Sequence, residues 1–162
     1  YGANIDLGWK GFRLNAFFQG VGKVDGYLNS HYVIPAVNSS AIKTWQLDYW
    51  TEENRDAEFP RLSVTSTNNT QNSTFWKRNA AYLRLKNIQV GYEIPKKLLS
   101  KVGIGGLYIY ANGQNLFTKT NFWQGYDPEV AYDAGASDGV SLGGANYYPQ
   151  VKVYSFGIDL KF

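Results

Sequence analysis

The stretch Val151-Lys-Val-Tyr-Ser-Phe-Gly-Ile-Asp-Leu-Lys-Phe162 decides the fold of this chain. From residue 154 onward every second residue is large and apolar, and the residues between are small or charged. A period of two residues predicts an extended strand with one apolar and one polar face. The apolar set ends on an aromatic residue and consists of Tyr154, Phe156, Ile158, Leu160 and Phe162.

The same alternation recurs in four earlier segments of the sequence. Residues 1–10 and 12–20 predict a hairpin that turns at Lys10-Gly11, and residues 81–94 and 107–117 predict two further strands. Within 81–94 the apolar positions change phase, so a bulge at Lys86-Asn87 is expected to bring them onto one face. Together with 151–162, the sequence predicts an all-β chain of five strands, each about ten residues long.

Short and long connections alternate between these strands. The connection after residue 94 is short, and we expect one helical turn that begins at Pro95. The segments of about 21–80 and 118–150 are far longer than ordinary loops, which is typical of functional surface loops. Within the first long loop, residues 39–48 predict a short helix capped by Ser39 or Ser40.

Composition excludes several classes of protein. Among 162 residues there is no cysteine, which excludes disulfides, cysteine zinc sites and a thiol nucleophile. The only histidine is His31, and we interpret it as a loop residue. A net charge of +3 gives little support to nucleic-acid binding. No stretch reaches the roughly 18 apolar residues of a membrane helix.

Strand length and loop asymmetry favour an outer-membrane β-barrel. Strands of about ten residues cross a bilayer at a tilt, with short periplasmic turns and long extracellular loops. A closed barrel needs at least about eight strands, so five strands predict a segment of a larger barrel. A complete small barrel fails on strand count. The remaining alternative is a soluble β-sheet module that binds carbohydrate through loop tryptophans.

Several ordered motifs resemble the carboxy-terminal end of the SusC/RagA family of TonB-dependent outer-membrane transporters of Bacteroidota. They run along nearly the whole chain and comprise Gly11-Phe-Arg-Leu-Asn-Ala-Phe-Phe-Gln-Gly20, Tyr49-Trp-Thr-Glu-Glu-Asn54, Phe59-Pro-Arg-Leu-Ser63, Asn79-Ala-Ala-Tyr-Leu-Arg-Leu-Lys-Asn-Ile-Gln-Val-Gly-Tyr-Glu-Ile-Pro95, Leu107-Tyr-Ile-Tyr-Ala-Asn-Gly-Gln-Asn-Leu-Phe-Thr118, Gly125-Tyr-Asp-Pro-Glu129 and Tyr148-Pro-Gln150.

The resemblance implies a plugged barrel of about 22 strands, of which this chain supplies the last five. It implies import of glycans or peptides with a SusD-like surface lipoprotein, energised by the TonB complex through the plug. No enzymatic activity and no nucleic-acid partner are expected. The long loops would be extracellular, and the carboxy terminus would be periplasmic. The last strand resembles the aromatic-ended strand that the barrel-assembly machinery recognises, and its apolar face would contact lipid.

Two sets of residues are candidates for functional contacts. Loop aromatic rings can stack on sugars or bury apolar peptide side chains, and the candidates are Trp45, Tyr49, Trp50, Trp76, Phe122, Trp123 and Tyr126. Packing within the loops, or against the lipoprotein, is the competing interpretation for each ring. Polar strand residues are expected to face the barrel lumen and the plug, and they are Arg13, Asn15, Gln19, Arg84, Gln89, Asp159 and Lys161.

Two groups of loop carboxylates could in principle serve catalysis or metal binding. A glycosidase needs two carboxylates in a rigid frame, one with a raised pKa. The cluster Asp48, Glu52, Glu53, Asp56 and Glu58 shows no sign of such a frame, so a solvated loop is expected. A second group could offer oxygen ligands to Ca²⁺, but its spacing matches no EF-hand, so no cofactor is predicted. That group is Asp127, Glu129, Asp133 and Asp138.

Overall fold

The computed structural model describes residues 1–27, 34–65, 68–69, 71, 73–130 and 149–162. Its elements, in chain order, are β1 (Gly2–Trp9), β2 (Phe12–Val21), β3 (Asp25–Tyr27), β4 (Lys77–Asn79), β5 (Tyr82–Glu93), α1 (Lys96–Leu99), β6 (Gly106–Thr120) and β7 (Val153–Lys161). Single 3-10 turns lie at Val37–Ser39, Thr44–Gln46, Thr74–Trp76, Ser100–Val102 and Pro128–Val130.

The chain divides into two compact units. The sheet unit comprises Tyr1–Gly22, Tyr82–Thr120 and Gln150–Phe162, and the loop unit comprises Lys23–Ala81 and Asn121–Pro149. The sheet unit is one antiparallel sheet of strand order β1-β2-β5-β6-β7. The predicted all-β antiparallel class is therefore confirmed. None of the helices in the described ranges is long and apolar enough to cross a membrane.

The two short connections of the sheet unit form the turns that their sequences predict. Lys10 and Gly11 form a two-residue turn with φ of 45° and 89°. Positive φ at both positions is what a type I′ hairpin turn requires, and glycine adopts it without steric cost. The turn after Pro95 is the helix α1, as expected from a proline whose fixed φ suits a helix start.

Strand register sorts the sheet into two chemically distinct faces. Directly opposed residues lie on the same face of an antiparallel sheet. One row of polar residues crosses four strands through the pairs Asn15↔Gln89, Gln89↔Asn112 and Asn112↔Ser155. All seven polar strand residues named above share this face: Arg13, Asn15, Gln19, Arg84, Gln89, Asp159 and Lys161.

Two bulges keep the faces in phase along β5 and β6. Phe17 pairs with Asn87 while Phe18 pairs with Leu85, so Lys86 is the extra residue of β5, and the predicted bulge is confirmed. Opposite it, β6 carries an irregularity between its pairs at Gln114 and Phe117. There Asn115 has φ of 53°, a left-handed conformation that asparagine tolerates better than most residues.

The other face of the sheet is apolar and open. It includes Trp9, Phe12 and Ile109, all exposed, together with Tyr154, Phe156, Ile158 and Leu160 of β7. Phe156 is 86% exposed and Ile158 is 69% exposed. A contiguous apolar surface of this kind marks a membrane or protein contact.

The loop unit has its own hydrophobic core. Its buried cluster is Ile34, Val37, Phe59, Trp76, Ala80, Phe122 and Trp123, and the short pair β3–β4 lies beside it. The helix predicted for residues 39–48 is wrong: only the turns at 37–39 and 44–46 form, with no cap from Ser39 or Ser40. Instead the Gln46 side chain accepts a hydrogen bond from the Lys43 N–H, at 2.9 Å.

Candidate functional site

The centre of the loop unit is a cluster of aromatic rings. Trp123 lies 5.4 Å from Trp45, 6.1 Å from Phe59 and 6.2 Å from Trp76, between ring centroids. Trp76 is 2% exposed and Trp123 is 7% exposed. Spacings of 4.5–7 Å are favourable for aromatic pairs, so these rings stabilise the loop unit from within.

Arg78 of β4 covers this cluster. Its guanidinium lies 4.2 Å from the ring centroid of Trp123, and it donates to a carboxylate oxygen of Glu58 at 3.1 Å. The same side chain donates to the Phe75 carbonyl oxygen at 3.0 Å. A partly buried guanidinium over a tryptophan face gains cation–π attraction in addition to the ion pair. Arg78 therefore joins Trp123 of the second long loop to residues 58 and 75 of the first.

The predicted loop aromatics fall into two groups. Trp76, Trp123 and the neighbouring Phe122 are buried in the core, where packing accounts for their rings. Four others are partly exposed and pack at its border or line its surface: Trp45, Tyr49, Trp50 and Tyr126. Partial burial raises the pKa of Tyr126, because desolvation disfavours the charged phenolate. Substrate contact stays a prediction for the loop rings Trp45, Tyr49, Trp50, Trp76, Trp123 and Tyr126.

The acidic segment of the first long loop is a compact loop closed by hydrogen bonds. Asp48 accepts from the Asn54 side chain at 2.9 Å and from the Glu58 N–H at 3.0 Å. These hydrogen bonds lower the pKa of Asp48, because they favour its charged form. A lowered pKa makes Asp48 unsuitable as the proton donor that glycoside cleavage requires. The segment thus matches the expected solvated loop.

A cavity of about 590 Å³ opens between two segments of the loop unit. Phe59 and Trp76 belong to the buried core, and they line the cavity together with the exposed ring of Phe75 and the partly exposed ring of Trp50. The polar lining includes Arg61 and Asn69. Sequence reasoning identified Trp50 and Trp76 but missed Arg61, Asn69 and Arg78, because a polar residue in a loop without periodicity carries no signal of where its side chain lies.

The polar face of the sheet is a network of paired side chains. Arg13 forms an ion pair with Glu93 and lies 5.5 Å from the ring centroid of Tyr108. Arg84 is buried and donates to Thr118 Oγ1 at 2.8 Å. Gln89 Nε2 lies 3.5 Å from the Tyr108 hydroxyl, and Gln19 Nε2 lies 3.4 Å from the Tyr82 hydroxyl. Such a face can hydrogen-bond a polar surface or a hydrated channel.

The proposed metal ligands do not assemble among the described residues. The Glu129 N–H donates to Asp127 Oδ1 at 3.0 Å, so this carboxylate stabilises a local turn. Asp133, Asp138 and His31 lie outside the described residues. Within the part of the chain that the structure describes, no group of three or more histidine, cysteine, aspartate or glutamate residues could hold a metal ion.

Comparison with known proteins finds similarity along the whole chain. TonB-dependent receptor P3 of Formosa agariphila is 31% identical over 99% of this chain, and TonB-dependent receptor SusC of Bacteroides thetaiotaomicron is 34% identical over 56%. The RagAB peptide importer in its open-open state matches 99% of the chain at 30% identity, with a TM-score of 0.71. No protein-family model matches.

The matched proteins are much longer than this chain. The chain spans 16% of receptor P3, 8% of SusC and 17% of the matched RagAB chain. These relatives are named as receptors and an importer rather than as enzymes. The similarity therefore concerns one segment of a large transport protein.

Proposed function

Because the chain is a barrel segment of the SusC/RagA group of TonB-dependent outer-membrane receptors, we propose that it forms part of the wall and the outer mouth of a nutrient importer. The observation that carries this proposal is the separation of the sheet into an open apolar face and a continuous polar face. Barrel strands alternate in this way between lipid and lumen.

The names of the relatives support the finer parts of the proposed function. RagAB is named a peptide importer, and SusC is named a TonB-dependent receptor. We propose that the whole protein imports oligomeric nutrients, glycans or peptides, with a SusD-like surface lipoprotein and with energy from the TonB complex through the plug. The loop unit would lie outside the cell, and the carboxy terminus would lie in the periplasm.

Each face of the sheet has a proposed partner. The polar residues Arg13, Asn15, Gln19, Arg84, Gln89, Asp159 and Lys161 would line the lumen and hydrogen-bond the plug. The edge strands β1 and β7 would pair with the remainder of the barrel, since open edges leave backbone groups unpaired in lipid. Tyr154, Phe156, Ile158, Leu160 and Phe162 would contact lipid and serve as the signal for the barrel-assembly machinery.

A matched pair of substitutions tests which face meets lipid. Phe156→Arg places a charge on the apolar face, and Ser155→Arg places the same charge on the adjacent polar face. At mid-bilayer an arginine facing lipid costs about 2–4 kcal/mol, whereas a lumen position tolerates it. We expect Phe156→Arg to reduce the folded receptor in isolated outer membranes, measured as the species that resists unfolding in detergent gels before heating, and Ser155→Arg to leave it unchanged. Equal effects would contradict the assignment.

Transport is tested separately in cells. Deletion of the gene that encodes the receptor should abolish uptake of one class of labelled oligomer, either oligosaccharides or peptides, and restoration of the gene should recover it. A soluble carbohydrate-binding module, the competing function, would instead remain in solution without detergent and would leave uptake unchanged.

A further inference from the structure

The cavity of the loop unit is built before any ligand arrives. The Trp76 indole N–H donates to the Asn69 carbonyl oxygen at 3.0 Å, and the Asn69 side chain donates to the Arg61 carbonyl oxygen at 3.1 Å. These bonds tie Asn69 to Trp76 and to Arg61, so three residues of the lining are held together. A preformed site loses less conformational entropy on binding than one that must be ordered by its ligand.

The lining of the cavity combines aromatic rings with donors and acceptors. Trp50 and Phe75 supply aromatic rings, while Asn68 and Gln71 carry side-chain amides that both donate and accept hydrogen bonds. The volume of about 590 Å³ lies within the range of small-molecule sites, roughly 300–1,000 Å³. A sugar ring has a C–H face that can lie on an aromatic ring, and its hydroxyl groups donate and accept hydrogen bonds at its edge.

A peptide fits this lining less well. Extended peptides commonly bind by adding a strand to the edge of a sheet, so that backbone groups supply the affinity. None of the strands in the described ranges of the chain lines this cavity. Side-chain amides and aromatic rings are therefore the available recognition groups, and they suit a hydroxyl-rich ring.

A cationic side chain at the cavity is available to an anionic ligand. The Glu58 carboxylate is bound by Arg78 at 3.1 Å. Arg61 also lines the cavity, and among the described residues its guanidinium is in no ion pair. An arginine fork binds a carboxylate with two parallel hydrogen bonds.

We propose that the loop unit holds a subsite for one ring of an oligosaccharide, with a preference for a ring that carries a carboxylate. Trp50 and Phe75 would stack on the ring, the amides would bind its hydroxyl groups, and Arg61 would bind its carboxylate. This inference rests on the proposed function, because it places a first binding step on the outer loops of the importer.

The test is isothermal titration of the purified full-length receptor in detergent with two trisaccharides of equal length, one of uronic acid and one of neutral hexose. We expect tighter binding of the acidic probe. Trp50→Ala should weaken both by about tenfold or more, as loss of a central anchor does. Arg61→Gln should remove the preference for the acidic probe and leave the neutral probe unchanged. The control is Leu47→Ala, which changes an exposed side chain of the same unit that does not line the cavity.

Three results would overturn the subsite: no binding of either probe, unchanged binding in Trp50→Ala, or displacement of the acidic probe by a tripeptide. Arg61 is exposed, so Arg61→Gln leaves the core intact. If Trp50→Ala fails to fold, Arg61→Gln therefore still tests the subsite. If the subsite variants bind as wild type while gene deletion still abolishes uptake, the subsite is wrong and the importer stands. If deletion leaves uptake of every oligomer unchanged, the proposed function itself is wrong.

Discussion

Replacement of Trp123 by alanine should open the loop unit without disturbing the sheet. A buried tryptophan removes roughly 200 Å² from water, and at about 25 cal/mol per Å² this burial contributes about 4–5 kcal/mol. Trp123 is 7% exposed, so nearly all of this contribution applies. Tryptophan-to-alanine substitutions in cores cost about 3–5 kcal/mol, in agreement with the area estimate.

The backbone amide of Ala80 provides the readout for Trp123→Ala. Ala80 belongs to the same core, and its N–H donates to the Val24 carbonyl oxygen at 2.9 Å. At about 1.4 kcal/mol per tenfold change, we expect hydrogen exchange at Ala80 in the full-length receptor to accelerate roughly 100-fold to several thousand-fold. An acceleration below about tenfold would refute the reasoning, because it would mean that the ring carries little of the local stability.

Two further variants separate the contributions to this stability. Trp9→Ala removes the same ring from an exposed position of the sheet unit, so Ala80 exchange should stay as in wild type. Arg78→Gln removes the guanidinium from the Trp123 face and from Glu58 while leaving the core rings in place. A partly exposed cation–π pair contributes about 0.5–2 kcal/mol, so exchange should accelerate by about 2-fold to 30-fold.

Further predictions concern single positions in both units. At Gly157 a Cβ atom would lie 2.2 Å from Tyr110 Cζ, so Gly157→Ala should destabilise the refolded receptor by about 1–3 kcal/mol in urea titrations, and adding Tyr110→Ala should recover part of the loss. Asn115→Gly should be tolerated and Asn115→Val should cost about 1–2 kcal/mol in the same assay, since Asn115 is left-handed; equal stabilities would contradict this. The Asp48 pKa is lowered on folding, so its contribution is present above the ordinary aspartate value of about 3.9 and lost as the pH falls below it. Protection of the Glu58 amide should decline in that range, and Asp48→Asn should abolish the pH dependence.

The sheet could be predicted from sequence because its information is local and periodic. Alternation in β7 and the phase change in β5 are visible in consecutive residues, and burial or exposure of one face requires that pattern. The bulge at Lys86 could be predicted because the apolar residues of this segment change from odd to even positions there. The predicted end of β6 at residue 117 falls three residues short of Thr120, because residues 118–120 are all polar and do not continue the alternation.

The loop unit could not be predicted in the same way. Its core is assembled from residues far apart in sequence, such as Phe59, Trp76 and Trp123, with no period that links them. The sequence left ligand contact and loop packing open for the loop tryptophans, and the structure packs Trp76 and Trp123 into the same buried cluster. Nor does the sequence indicate that Arg78 lies over Trp123, because this contact joins the two long loops.

Lys86 is the extra residue of the bulge in β5, so the face on which each side chain of β5 lies depends on the number of residues in the strand. Deletion of Lys86 would leave every other side chain on its present face, because Leu85 and Asn87 already lie on opposite faces and would become neighbours. Insertion of one residue away from the bulge would instead shift one half of the strand by one position, and every side chain in that half would exchange the polar face for the apolar face. A change of length in this strand should therefore be acceptable at the bulge, and elsewhere only in steps of two residues.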